Sequence, residues 1–253
     1  MLLAIDIGNS NITFGFFENA ELKNTARTET DKELNLEGHK ENLKKVLEGY
    51  EKKVTAVSIG SVVPELDEVF SKSIESITTA KPFFIDTKIK TNIRDFSCTT
   101  NELGADRLCD VVAAIKKIDG NRVVVDLGTA TKFEVISEKD EYLGGAIGPG
   151  VGDSFRSLLS HASKLPDIRL TKPKKVVAGW STQEHLDSGF VYGFASLIDG
   201  MIDRVAKEQK WKNYAVILTG GFSELIAPFV THKHTLDKDL NLFGLKILWE
   251  INN

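Results

Sequence analysis

Short apolar blocks separated by turn residues open the chain. Leu2 to Ile5 leads into Asp6, Gly8-Asn9-Ser10 forms a turn, and Ile12 to Phe17 is a second block rich in Phe and Ile, which predicts a β-hairpin. Leu43, Val46, Leu47 and Tyr50 then recur at helical spacing. Val54 to Ile59 reads as a buried strand, and Pro64 is placed to start a helix that Leu66, Val69, Phe70 and Ile77 continue. Pro82 to Asp86 is another short strand. The stretch from Thr87 to Leu103 is polar and lacks a period, and a connection of that length points to function.

Helical spacing returns with Leu108, Val111, Val112, Ile115 and Ile118, so Asp106 and Arg107 fall in the first turn of a helix beginning at Ala105. Arg122 to Leu127 is a strand with three successive valines, and Phe133 to Ser137 is its return strand. Asp6-Ile7-Gly8-Asn9 and Asp126-Leu127-Gly128-Thr129 therefore follow equivalent strands about half a chain apart, the mark of a duplicated unit. The expected division is 1–118 and 119–253. Leu186, Phe190, Phe194, Leu197, Ile198, Met201 and Val205 mark a long helix, along which Gly189 and Gly193 leave a narrow groove. Tyr214 to Leu218 is a last strand running into Thr219-Gly220-Gly221, a turn able to approach a flat ligand, with a helix expected at Phe222.

Composition narrows the functional classes. Apolar residues at 42% and charged residues at 27% are the balance of a globular enzyme. A formal charge of −4 with no Lys/Arg cluster argues against a nucleic-acid partner. No apolar run approaches the roughly 20 residues of a membrane span, and Met1 to Ile5 is too short for a signal sequence, so a cytoplasmic protein is expected. Cys98 and Cys109 lack Cys-x-x-Cys spacing and read as buried reduced thiols; His232 and His234 read as solvated loop.

A strand that ends in Asp-x-Gly-Asn/Thr and turns back as a hairpin brings together backbone N–H groups, small hydroxyls and one carboxylate. Glycine lets the backbone approach phosphate oxygens, Ser10, Thr13, Thr129 and Thr131 can donate hydrogen bonds, and the Asp can hold a cation. One copy alone is an ordinary turn. Two copies at domain-like spacing point to a pair of loops that would grip the phosphates of a nucleotide from both sides, with Thr219-Gly220-Gly221 bordering the base.

That arrangement resembles the actin, Hsp70 and sugar-kinase architecture, an α/β fold of duplicated ribonuclease H-like domains with mixed sheets flanked by helices. Gly104-Ala105-Asp106-Arg107, Asp126 to Thr131 and Gly144 to Gly150 together resemble the type III pantothenate kinase family. Ala162 to Pro166, Thr182 ahead of Ser188-Gly189, Leu218 to Ser223 and Leu240 to Leu245 extend the resemblance in order along the chain. It implies transfer of a phosphoryl group from ATP to pantothenate, giving 4′-phosphopantothenate in coenzyme A biosynthesis. It also implies magnesium or another divalent cation, potassium or ammonium, and a homodimer with the active site at its interface.

By the same resemblance, Asp6, Ile7, Gly8, Asn9, Ser10, Asn11, Ile12 and Thr13 form the first phosphate loop and Thr129 touches ATP. Asp6 holds the divalent cation, directly or through water, and Asp126 the monovalent one. Gly104, Ala105, Asp106, Arg107 and Thr182 bind pantothenate, with Asp106 as the base. A carboxylate is a feeble base toward an alcohol, but a largely dissociative phosphoryl transfer releases the hydroxyl proton late, so the Asp chiefly aligns and then accepts. Arg107 can contact the substrate carboxylate in a bidentate way.

The chain departs from the family pattern after Thr131, where Lys132 and Glu134 replace small or hydroxylated residues and an Asp, and at Phe96 and Thr100 ahead of Gly104. Lys132 is expected either to reach the ATP phosphates or to point to solvent from the return strand, the second being commoner for a lysine. Two other readings share this fold: a kinase for another small acceptor, and an actin- or Hsp70-like nucleotide-binding regulatory protein.

Overall fold

A computed structural model describes residues 1–86, 88–94, 103–161 and 168–253. Phe96, Cys98, Thr100 and the Ala162 to Pro166 motif lie outside the described residues. Two compact units are distinguished: Met1–Asn92 with 103–113 and Leu240–Asn253, and 93–94 with the described part of Ala114–Asp239. The terminal segment thus belongs with the first unit, whereas the expected division at 118 and 119 leaves it in the second half.

In the first unit, β1 (Leu2–Ile7), β2 (Asn11–Glu18), β3 (Glu21–Glu29), β4 (Ala56–Ser61) and β5 (Pro82–Phe84) form one sheet in the order β3-β2-β1-β4-β5. β1 pairs antiparallel with β2 and parallel with β4. This central position explains its unbroken apolar run, since both faces are covered. The covering helices are α1 (Leu36–Val46), α2 (Pro64–Ile77), the N-terminal part of α3 (Ala105–Lys117) and α7 (Leu240–Asn252). Asn35 caps α1 by accepting from the Gly38 N–H at 2.9 Å, and Pro64 occupies the first turn of α2, where its missing donor costs no helical bond.

Helix α7 is tied to the sheet by Ser58 Oγ, which donates to the Leu245 carbonyl at 2.9 Å. Gly244 lets it approach α3, because a Cβ there would overlap the Cys109 backbone. The core joins Leu3, Ile5, Phe14, Phe16, Ile59 and Phe70.

The second unit repeats the sheet. β6 (Arg122–Leu127), β7 (Ala130–Ile136), β8 (Tyr142–Pro149), β9 (Ala215–Thr219) and β10 (Thr235–Leu236) run in the order β8-β7-β6-β9-β10, with β6 antiparallel to β7 and parallel to β9. Strand for strand this is the order of the first sheet. α4 (Val151–Ser160), α5 (Thr182–Glu208) and the short α6 (Ser223–Ile226) complete it. A capping box starts α5: Ser181 Oγ accepts from the Glu184 N–H, and the Glu184 carboxylate accepts from the Ser181 N–H. Arg122 is buried at the base of β6, where it pairs with Asp140 and donates to the Ile118 carbonyl at 2.7 Å. No helix among the described residues is long and apolar enough to cross a membrane.

Candidate active site

Each duplicated hairpin carries its aspartate at the end of its central strand. In the first unit Asp6 stands opposite Thr13 on β2 and beside Gly60 on β4. The Gly8 N–H is engaged within the turn by the Asn11 carbonyl at 3.0 Å. Thr30 braces the loop from the end of β3: its Oγ1 donates to the Gly8 carbonyl at 2.7 Å and its N–H to the Ser10 carbonyl at 3.1 Å. Asn9 is exposed, and Asp6, Gly8, Ser10, Asn11 and Thr13 are partly so. Ile7 and Ile12 are buried in the core, so only their backbone is available to a ligand.

Asp106 and Arg107 occupy the first turn of α3, as the spacing predicts, and both are partly exposed. Gly104 precedes them and accepts the Leu108 N–H at 3.1 Å. Ala105 is buried. Cys109 is fully buried behind this turn, and its thiol is pushed well above the ordinary range, first by burial and then by the charges of Asp110, Asp6 and Asp106. Asp6 and Asp106, far apart in sequence, thus act on the same buried thiol. The Asn241 side-chain amide on α7 donates to the Asp106 carbonyl at 2.8 Å and lies 3.4 Å from Asp110 Oδ1. No sequence motif assigns a role to Asn241 or Asp110. Asp110 sits within the apolar spacing of α3 and is 1% exposed, a buried charge that could have marked it.

In the second unit Asp126 stands directly opposite Lys132 across the β6–β7 hairpin. Lys132 Nζ lies 2.6 Å from Asp126 Oδ2, with the two side chains 12% and 13% exposed. The expectation that Lys132 faces solvent is therefore corrected: antiparallel register places it on the same face of the sheet as Asp126, and burial favours pairing. Gly128 donates to the Ala130 carbonyl at 3.1 Å, and Thr129 is exposed at the tip.

The Thr219-Gly220-Gly221 turn adjoins Asp126, since β9 pairs with β6 at Thr219. Gly220 has φ +90°, and a Cβ there would overlap Asp126 Oδ1 and the Leu127 backbone. Phe222 N–H donates to the Leu127 carbonyl at 3.1 Å, locking the turn to the strand. Glu134 is buried and accepts from the Tyr142 hydroxyl at 2.6 Å. Thr182 is the exposed first residue of α5.

Comparison with known proteins gives this arrangement its family. A family model described as type III pantothenate kinase matches residues 2–204. The type III pantothenate kinase of Finegoldia magna is 39% identical, with 100% of this chain and 98% of the relative covered. That of Anaeromyxobacter dehalogenans strain 2CP-C is 40% identical with both chains fully covered. The chain belongs to the type III pantothenate kinase family.

As a type III pantothenate kinase it shares its fold with more distant solved structures. A Campylobacter jejuni protein assigned to the Baf family of transcriptional activators superposes with a TM-score of 0.57 at 24% identity, covering 98% of this chain and 97% of its own. A glucokinase of the ROK family from Streptomyces griseus, solved with glucose and AMPPNP, gives 0.55 at 13% identity, with 98% of each chain covered. These likenesses show the duplicated ribonuclease H-like fold of the sugar kinases.

Proposed function

We infer that this type III pantothenate kinase transfers the γ-phosphoryl group of ATP to the hydroxyl of pantothenate, giving 4′-phosphopantothenate and ADP, the first step of coenzyme A biosynthesis. The observation that carries this reading is the placing of Asp106 in the first turn of α3, beside Arg107, in a chain that matches the family end to end.

In this reading Asp106 aligns the pantothenate hydroxyl and accepts its proton as the bond to phosphorus forms. Gly104, Ala105, Arg107 and Thr182 hold the substrate, with the Arg107 guanidinium suited to a carboxylate. The loop from Asp6 to Thr13 and the hydroxyl of Thr129 contact the phosphates, Ile7 and Ile12 through backbone alone.

A divalent cation fits the residues around Asp6. Among the described residues no group of three or more His, Cys, Asp or Glu forms a metal cage. One or two carboxylates completed by substrate phosphates are the usual way a kinase holds magnesium. Asp6 would hold it, directly or through water, and the cation would supply charge neutralisation across the phosphate oxygens. A potassium or ammonium ion at Asp126 does not fit in the same way, because Oδ2 already bears the Lys132 ammonium.

Homodimerisation is also proposed. Leu158, Leu186, Phe190, Phe194 and Leu197, with Gly189 and Gly193, line an apolar groove of about 370 Å³ along α5. A second copy would cover it, and sedimentation showing a monomer at assay concentration would remove the proposal. The reaction is placed in the cytoplasm, to be checked by fractionation.

ADP release measured with ATP and magnesium, comparing pantothenate, glucose, acetate and no acceptor, tests the activity. Turnover that requires pantothenate is the expected outcome. Acceptor-independent hydrolysis would move the reading to a nucleotide switch.

A further inference from the structure

The two duplicated hairpins differ in charge at the position that faces the aspartate across the strands. Opposite Asp6 the first hairpin carries Thr13, a neutral hydroxyl; opposite Asp126 the second carries Lys132. The lysine ammonium is seated 2.6 Å from Asp126 Oδ2. Both side chains are mostly withdrawn from water, where a charge pair is screened far less than on the surface. The other carboxylate oxygen, Oδ1, is crowded by the Gly220 backbone, which has no room for even a Cβ. One oxygen of the carboxylate is therefore neutralised by a tethered cation, and the other lies against the glycine turn.

We propose that the Lys132 ammonium is the resident cation of the second phosphate loop, fulfilling at Asp126 the role that the family resemblance assigns to a potassium or ammonium ion, so that turnover requires no added monovalent cation. This rests on the pantothenate kinase reading above. A free monovalent cation approaching Asp126 would meet a fixed charge of its own sign within hydrogen-bond range of the same carboxylate. The tethered ammonium loses no translational freedom each time nucleotide binds.

The test is a cation series on the intact enzyme in Tris buffer free of alkali metals, with ATP, magnesium and pantothenate. No pantothenate-dependent ADP release under any cation would reject the kinase reading itself and the proposal with it. Given turnover, the wild type should change by less than about threefold on adding potassium or ammonium chloride, and a larger stimulation overturns the proposal while leaving the kinase reading intact. Lys132→Thr should lose about tenfold or more in Tris and recover with potassium or ammonium. A folded variant that is not rescued, or that needs no cation, overturns it as well. Should circular dichroism show Lys132→Thr unfolded, Lys132→Gln is put through the same series, and the wild-type arm decides without either.

Binding supplies a readout separate from turnover. Calorimetric affinity for a non-hydrolysable ATP analogue should be the same in Tris and potassium for the wild type, and tighter in potassium for Lys132→Thr. Potassium-dependent binding by the wild type overturns the proposal.

Discussion

The Asn241 side-chain amide near the start of α7 donates to the main-chain carbonyl of Asp106 at 2.8 Å. A residue close to the C-terminus thereby fixes the first turn of the helix that carries the proposed base. Removing the amide leaves that carbonyl without this donor and the turn free to shift. A net hydrogen bond is worth about 1 kcal/mol, so Asn241→Ala is expected to lower kcat about fivefold. Steady-state kinetics should show the loss in kcat with the Michaelis constant for ATP little changed. An unchanged kcat would mean that the turn holds its place without Asn241.

Asp106→Asn keeps the size of the side chain and removes its capacity to accept a proton. General-base catalysis contributes about 10²-fold or more, so turnover should fall by at least that much. ATP affinity measured by calorimetry should remain, because the first phosphate loop lies on a different element. A fully active Asp106→Asn enzyme would remove the base assignment.

Gly220→Ala combines a left-handed backbone with overlap against Asp126 Oδ1 and the Leu127 backbone. A destabilisation of about 2 kcal/mol or more is expected, read as a lower thermal midpoint. Gly200→Ala is the control: nothing lies within 4 Å of a Cβ there, and a helix interior favours alanine. Equal melting temperatures for Gly220→Ala and wild type would contradict the packing around Asp126.

Burial raises the pKa of Asp67 in α2, only partly opposed by a hydrogen bond with Ser61 and reinforced by the Glu65 charge. The folded state therefore holds this proton more tightly than the unfolded chain. Its contribution to stability is greatest below the unfolded-state pKa and is lost as pH rises through the folded-state value. Asp67→Asn should accordingly raise the melting temperature near neutral pH, with a smaller gain in acid. A gain that is independent of pH would show that ionisation is not the cause.

The hairpins, the start of α3 and the Pro64 entrance to α2 were legible because their signals are local: apolar runs, glycine turns and a proline in a first turn. β3 was not read from the sequence. Its nine residues, Glu21 to Glu29, are mostly exposed, so the strand is held by edge pairing to β2 and not by an apolar period. β8 was missed for a related reason, since Gly144, Gly145 and Gly148 leave few side chains to show alternation. Its role is set by pairing with β7.

The sequence by itself determined the duplication, the two aspartates at the ends of equivalent strands and the place of Asp106, because each depends on residues close together in the chain. Only the tertiary structure decided that α7 packs with the first unit, that Asn241 holds Asp106 and that Lys132 closes on Asp126. Those facts depend on helix packing and cross-strand register. Hydrophobic burial sets both over the whole unit, and no local pattern of residues records them.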